Sequence, residues 1–167
     1  ARLRARLSEY YNISQSNVHA YVFGEHGDSS FIPWSVANIS NVPITECDKL
    51  ITSNGASYPK FHENEVEQYV RKSGARVIER KGATFYAVSA SVCHICKCLL
   101  TGIDTTMTVS TMMHGEYGVD DVALSVLNIV GKDGARAKVL MPLTDEEIAA
   151  LRKSADTLKE VISNLDI

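Results

Sequence analysis

The segment Gly24-Glu25-His26-Gly27-Asp28-Ser29 sets a titratable imidazole between two glycines and among two acids. Near neutral pH an imidazole can give or take a proton, and glycines on either side let a ligand or a second stretch of backbone come close. Such a histidine is either an acid/base group or an ordinary surface residue, and the residues alone leave both open. A second cluster, Cys93-His94-Ile95-Cys96-Lys97-Cys98, offers soft metal ligands. Successive residues of one helix fan outwards, however, and cannot converge four ligands on a tetrahedral ion. The expectation is therefore no metal, and small thiols filling a buried helix face. Neither a GxGxxG run nor a GxxxxGK motif is present, so the sequence holds no recognisable cradle of its own for a dinucleotide or nucleotide phosphate.

These groups need elements to hold them. Leu3, Leu7 and Tyr10 or Tyr11 have the three-to-four spacing of a one-sided helix over residues 1–11, with Asn12 available to end it. Arg2 and Arg4 are two apart on that helix, about 200° around its axis, so their guanidinium groups must serve different faces. Residues 19–23 read as a strand running into the histidine segment. Val66, Val70, Ser73 and Val77 predict a charged surface helix from about Glu63 to Arg80, with a tolerable Gly74, broken at Lys81 and Gly82. Residues 83–101 are apolar on nearly every side, the pattern of a buried helix ended by Gly102.

From 105 to 141 the texture changes to short runs of Thr, Val, Met and Leu divided by Gly115-Glu-Tyr-Gly118 and Lys132-Asp-Gly134, predicting three antiparallel strands. Thr144 with Glu147 is a capping box, and Ile148, Leu151, Ala155, Leu158, Ile162 and Leu165 then step along one helical face. That stripe is too short to insist on a coiled coil, and a terminal helix docked on the domain is the preferred reading. The 167 residues, 45% hydrophobic and 22% charged, suffice for one core. A net charge of -3 provides no bulk basic field for nucleic acid. No apolar run is long enough to span a membrane, no secretory leader opens the chain, and the clustered cysteines suit reduced thiols; a soluble cytoplasmic protein without membrane partners is expected.

Val22 to Ile39, VFGEHGDSSFIPWSVANI, resembles the active-site segment of the L-lactate dehydrogenases, NAD-dependent 2-hydroxy-acid dehydrogenases whose family includes the malate enzymes. ARLR at the start, KGAT at Lys81 to Thr84, GEYG followed by VALSV, and the closing TDEEI to LKEVI helix follow in the family's order. The resemblance spans the chain but covers only the family's C-terminal, substrate-binding half. Phe23, where a smaller aliphatic is usual, and Leu127, where proline is often found, depart from the pattern, apolar for apolar.

The resemblance implies roles. His26 would exchange a proton with the substrate's ketone or hydroxyl oxygen while hydride moves to or from NAD. Arg2 would grip the substrate carboxylate with a planar pair of donors. Thr84 would lie at the floor of the substrate pocket, and Val88, one turn along, would approach the nicotinamide ring. Arg4 and His19 match positions where bacterial allosteric members bind fructose 1,6-bisphosphate; affinity there should weaken as rising pH removes the imidazolium charge. The family's aspartate that orients the histidine would precede Ala1, as would the dinucleotide-binding domain and the mobile selectivity loop.

The combined expectation is an α+β domain over 1–167, a mixed or antiparallel sheet packed with helices and closed by a long terminal helix. It would be the catalytic-histidine half of an L-lactate dehydrogenase acting on pyruvate and L-lactate, activated by fructose 1,6-bisphosphate, and inactive alone. A homo-oligomer is expected, tetrameric in the parent and dimeric in the fragment. The alternatives are a malate or other 2-hydroxyacid dehydrogenase domain, or a non-enzymatic self-associating fragment.

Overall fold

The computed structural model describes residues 1–53, 56, 57 and 60–165. They fall into two units: Ala1–Tyr21 with Trp34–Ile95, and Val22–Pro33 with Cys96–Ile167. The fold is α+β, with every strand pair antiparallel.

In the first unit α1 (Arg2–Tyr11) buries Leu3, Leu7 and Tyr11, the predicted stripe, and ends at Asn12 in the left-handed conformation (φ 50°). Short strands β1 (Val18–His19), β2 (Asn38–Ile39) and β3 (Val42–Pro43) pair in that order. The short helix α2 (Cys47–Leu50) buries Cys47, whose thiol is pushed up to about 11 by burial. Strands β4 (Thr52–Ser53) and β5 (Ala56–Ser57) form a separate pair. The charged helix α3 (Glu63–Lys81) buries Val66 and stops at Gly82, φ 77°. Trp34 and Phe61 meet edge to face at 5.2 Å, and the Trp34 indole donates to Glu67 Oε1 at 2.9 Å.

Helix α4 (Tyr86–Thr101) forms where predicted, but it is not buried. Phe85 is 53% exposed, Val88 55%, Val92 52% and Leu100 86%. Cys93 and Cys96 are exposed as well and Cys98 partly so, which corrects the reading of thiols packed into a core. An apolar helix is buried only when another surface covers it, and the described residues supply none for this face.

The second unit is built on β6 (Thr105–His114), β7 (Asp120–Gly131) and β8 (Gly134–Lys138), paired in sequence. The turn between β6 and β7 places Gly115, Tyr117 and Gly118 at positive φ. There Glu116 accepts the His114 backbone N–H at 2.6 Å and pairs with Lys138 at 3.0 Å. The His114 N–H first, and Lys138 with it, hold the Glu116 carboxyl down at about 2 against the opposing effect of burial. Between β7 and β8 the left-handed residue is Gly134, φ 85°, with a register shift beyond it, so the Asp-Gly signal resolves as a hairpin with a bulge. Leu127 is buried in β7.

Helix α5 (Asp145–Ser163) starts on the predicted capping box, with Thr144 Oγ1 accepting the Glu147 N–H and Glu147 accepting the Thr144 N–H. It buries Leu151, Ser154 and Ala155, while Val161 and Ile162, and Leu165 just beyond its end, stay open. The predicted docking therefore holds for its first half. No single helix among the described residues is long and apolar enough to cross a membrane.

Candidate functional site

His26 stands on a loop whose two ends are tied together. Phe23 and Phe31 exchange both backbone hydrogen bonds, at 2.9 and 3.0 Å, and their rings meet edge to face at 6.3 Å. Phe23 is buried, so the larger ring found at this position is accommodated in the core. One residue on, Gly24 exchanges backbone bonds with Ser125 of β7, at 3.0 and 2.9 Å. The predicted continuous strand over 19–23 is thus two pieces: β1 ends at His19, and pairing resumes only at Phe23 with different partners. Residues 20–22 belong to no strand, and the chain passes from the first unit to the second at Tyr21 and Val22.

Gly24 adopts φ 94°, a conformation costly for residues with a Cβ, and an ideal Cβ there would lie 2.5 Å from Ser154 Oγ. Both facts demand glycine. The Glu25 N–H donates to Ser154 Oγ at 2.7 Å, and the Ser29 hydroxyl lies 3.1 Å from the same oxygen. Ser29 also gives its backbone N–H (3.0 Å) and its hydroxyl (2.8 Å) to Glu25 Oε1. The backbone donation first, and the hydroxyl second, hold the Glu25 carboxyl below the usual carboxylate range. Ser30 closes the far side on the Gly27 carbonyl through its N–H and hydroxyl. The imidazole of His26 projects from this frame into solvent, where it can exchange protons with a bound molecule.

The other candidate residues lie in the first unit. Arg2 is half-buried on α1, with Nη1 3.2 Å from where a Cβ of Gly74 would stand. The glycine inside α3, weakening to a helix by itself, makes room for this guanidinium. Arg4 is exposed and donates to the Gln15 carbonyl at 2.6 Å, so the two arginines go to different neighbours. Gln15 opens the turn that leads into β1, on which His19 is exposed. Thr84 is half-buried in the turn between α3 and α4, and Val88 sits on the first turn of α4. A hollow of about 440 Å³ in the same unit, lined by Phe61 to Glu65, contains none of them.

Ser154 and the Glu25–Ser29 pair were not singled out from sequence. A signal existed: Ser154 stands three residues after Leu151 and beside Ala155, a polar residue on the edge of an otherwise apolar stripe.

Comparison with known proteins bears on the whole chain. Residues 1–166 match the family model of the lactate/malate dehydrogenase α/β C-terminal domain. The chain is 40% identical to an L-lactate dehydrogenase of Acetivibrio thermocellus over 168 residues, covering 100% of this chain and 52% of that protein. With an L-lactate dehydrogenase of Thermoanaerobacter pseudethanolicus it shares 41% over 167 residues, 100% of this chain and 53% of the other. Among solved structures it resembles a lactate dehydrogenase from a Medee basin deep-sea metagenome library, with a TM-score of 0.87, 31% identity, and coverage of 95% of this chain and 50% of that one. It also resembles the minor L-lactate dehydrogenase of Enterococcus mundtii, with a TM-score of 0.88, 28% identity, and coverage of 99% and 52%. The chain spans about half the length of the relatives it matches.

Proposed function

The chain belongs to the lactate/malate dehydrogenase family, whose α/β C-terminal domain it carries, and on that footing we propose that it is the substrate-binding and proton-transferring half of an L-lactate dehydrogenase. The observation that carries the reading is the His26 loop: an exposed imidazole on a backbone tied down at both ends. In this reading the chain is one functional domain, its NAD-binding half lies on a separate domain, and it works in the cytoplasm.

Toward the cofactor, this chain offers an apolar surface. Val88 is exposed on α4, which suits the flat face of a nicotinamide ring, while the sequence has no glycine motif for the phosphates. The residues fit the ring and not the rest of the dinucleotide. When bound, the cofactor supplies hydride to the carbonyl carbon of pyruvate. His26, as imidazolium, gives its proton to the ketone oxygen and so neutralises the charge that develops there; in the reverse direction it takes the proton from the L-lactate hydroxyl. Arg2 holds the substrate carboxylate through two parallel N–H donors, and Thr84 lines the pocket floor. Arg4 and His19, both exposed, form one side of a fructose 1,6-bisphosphate site between subunits of a homo-oligomer.

The test is activity with and without the other half. The purified 167 residues should oxidise no NADH with pyruvate. Fused behind the dinucleotide-binding half of the Acetivibrio thermocellus relative, they should form L-lactate. A rate from the chain alone that scales with its concentration would overturn the division of labour, and a folded fusion without turnover on pyruvate would overturn the activity. Sedimentation with added fructose 1,6-bisphosphate tests the effector site, for which no change in association is the contrary result.

A further inference from the structure

We propose that Ser154, on the terminal helix, is the positioning residue of the histidine loop, setting where the backbone on either side of His26 stands. The proposal rests on the reading of His26 as the proton-transfer group.

Ser154 is 0% exposed and lies on the face of α5 that also buries Leu151 and Ala155. Alanine would pack in that position with better helix propensity, and a hydroxyl shut away from water is costly unless it is hydrogen-bonded. Here the hydroxyl is used entirely on the loop. It accepts the N–H of Glu25, the residue next to His26, and meets the Ser29 hydroxyl three residues beyond His26. Ser29 in turn returns two donors to the Glu25 carboxylate. Glu25, Ser154 and Ser29 thus close a ring of hydrogen bonds around the base of the segment that carries the imidazole. Gly24 completes the fit, because with any side chain its Cβ would collide with Ser154 Oγ. The loop is short and His26 itself is exposed, so this ring, and not packing of the imidazole, determines where the proton donor stands.

The test uses amide exchange and histidine ring resonances of the 167-residue chain in solution. In Ser154→Ala the Glu25 amide should exchange at least about tenfold faster, and the His26 ring signals should broaden or split. Amides of the β6–β7 ladder should keep their protection. Ala155→Gly, which weakens the same helix while keeping the Ser154 hydroxyl, should leave Glu25 and His26 unchanged. Ser29→Ala approaches the ring from the loop, at a half-buried position away from the core of α5, and should disturb the His26 signals in the same way. Unchanged Glu25 protection in Ser154→Ala, or the same loss in Ala155→Gly, overturns the proposal. Should Ser154→Ala not fold, undisturbed His26 signals in Ser29→Ala overturn it alone. These readouts need no turnover: a fusion that makes no lactate yet shows them would sink the enzymatic reading and leave the role of Ser154 intact.

Discussion

The histidine loop and helix α4 are opposite ways of presenting a surface. Around His26 the polar groups of Gly24, Glu25 and Ser29 are paired within the chain, and one buried hydroxyl of α5 ties them together. Along α4 the side chains are apolar, yet Val88, Val92 and Leu100 are each more than half exposed. A hydrogen-bonded loop can be completed by a few local contacts, whereas an apolar helix face requires a second surface of comparable size. The histidine loop is therefore held by contacts within this chain, and the α4 face is left uncovered by the described residues.

The contrast has measurable consequences. Leu151 lies fully buried on α5, on the helix that holds the loop. Leu151→Ala should cost about 2 to 5 kcal/mol in urea unfolding, and a cost below about 1 kcal/mol would mean that α5 is not part of the core. A smaller effect is expected with acid. The Glu116 carboxyl is held down at about 2 in the fold, so its contribution is complete above its ordinary value of 4.5 and is lost as pH falls from there toward about 2. Stability should fall over that window, and Glu116→Gln should flatten the fall; since the group is partly exposed, the gain is modest. An unchanged acid slope in the variant would contradict the assignment. Least of all should come from α4: Val92→Asp should shift stability by no more than about 0.5 kcal/mol. A loss of several kcal/mol there would show that the face is covered after all.

These regions also differ in how far their sequence announces them. Helix α5 was legible from Thr144, Glu147 and its apolar stripe, because a capping box and a periodicity are local properties. The β6–β8 hairpins were legible from Gly115, Gly118 and Gly134, which stand at left-handed turns. The exposure of α4 was not legible, because hydrophobicity records that a helix needs a cover and not which chain provides it. The break after His19 was missed because Phe23 and Gly24 take partners eight and about a hundred residues away, at Phe31 and Ser125. The strands between 38 and 57 are two residues long, too short for alternation to register. His26 itself was visible as a residue type between glycines, but its frame was not. Ser154 in a helix reads as one more polar position until the fold brings it to Glu25, 129 residues away.

The most direct measurement is the steady-state rate of pyruvate-dependent NADH oxidation by this chain fused to the dinucleotide-binding half of a relative, compared with the same protein carrying His26→Asn. Loss of a proton donor predicts a fall of about 10² to 10⁴ with the fold retained, whereas equal rates would contradict the role assigned to His26.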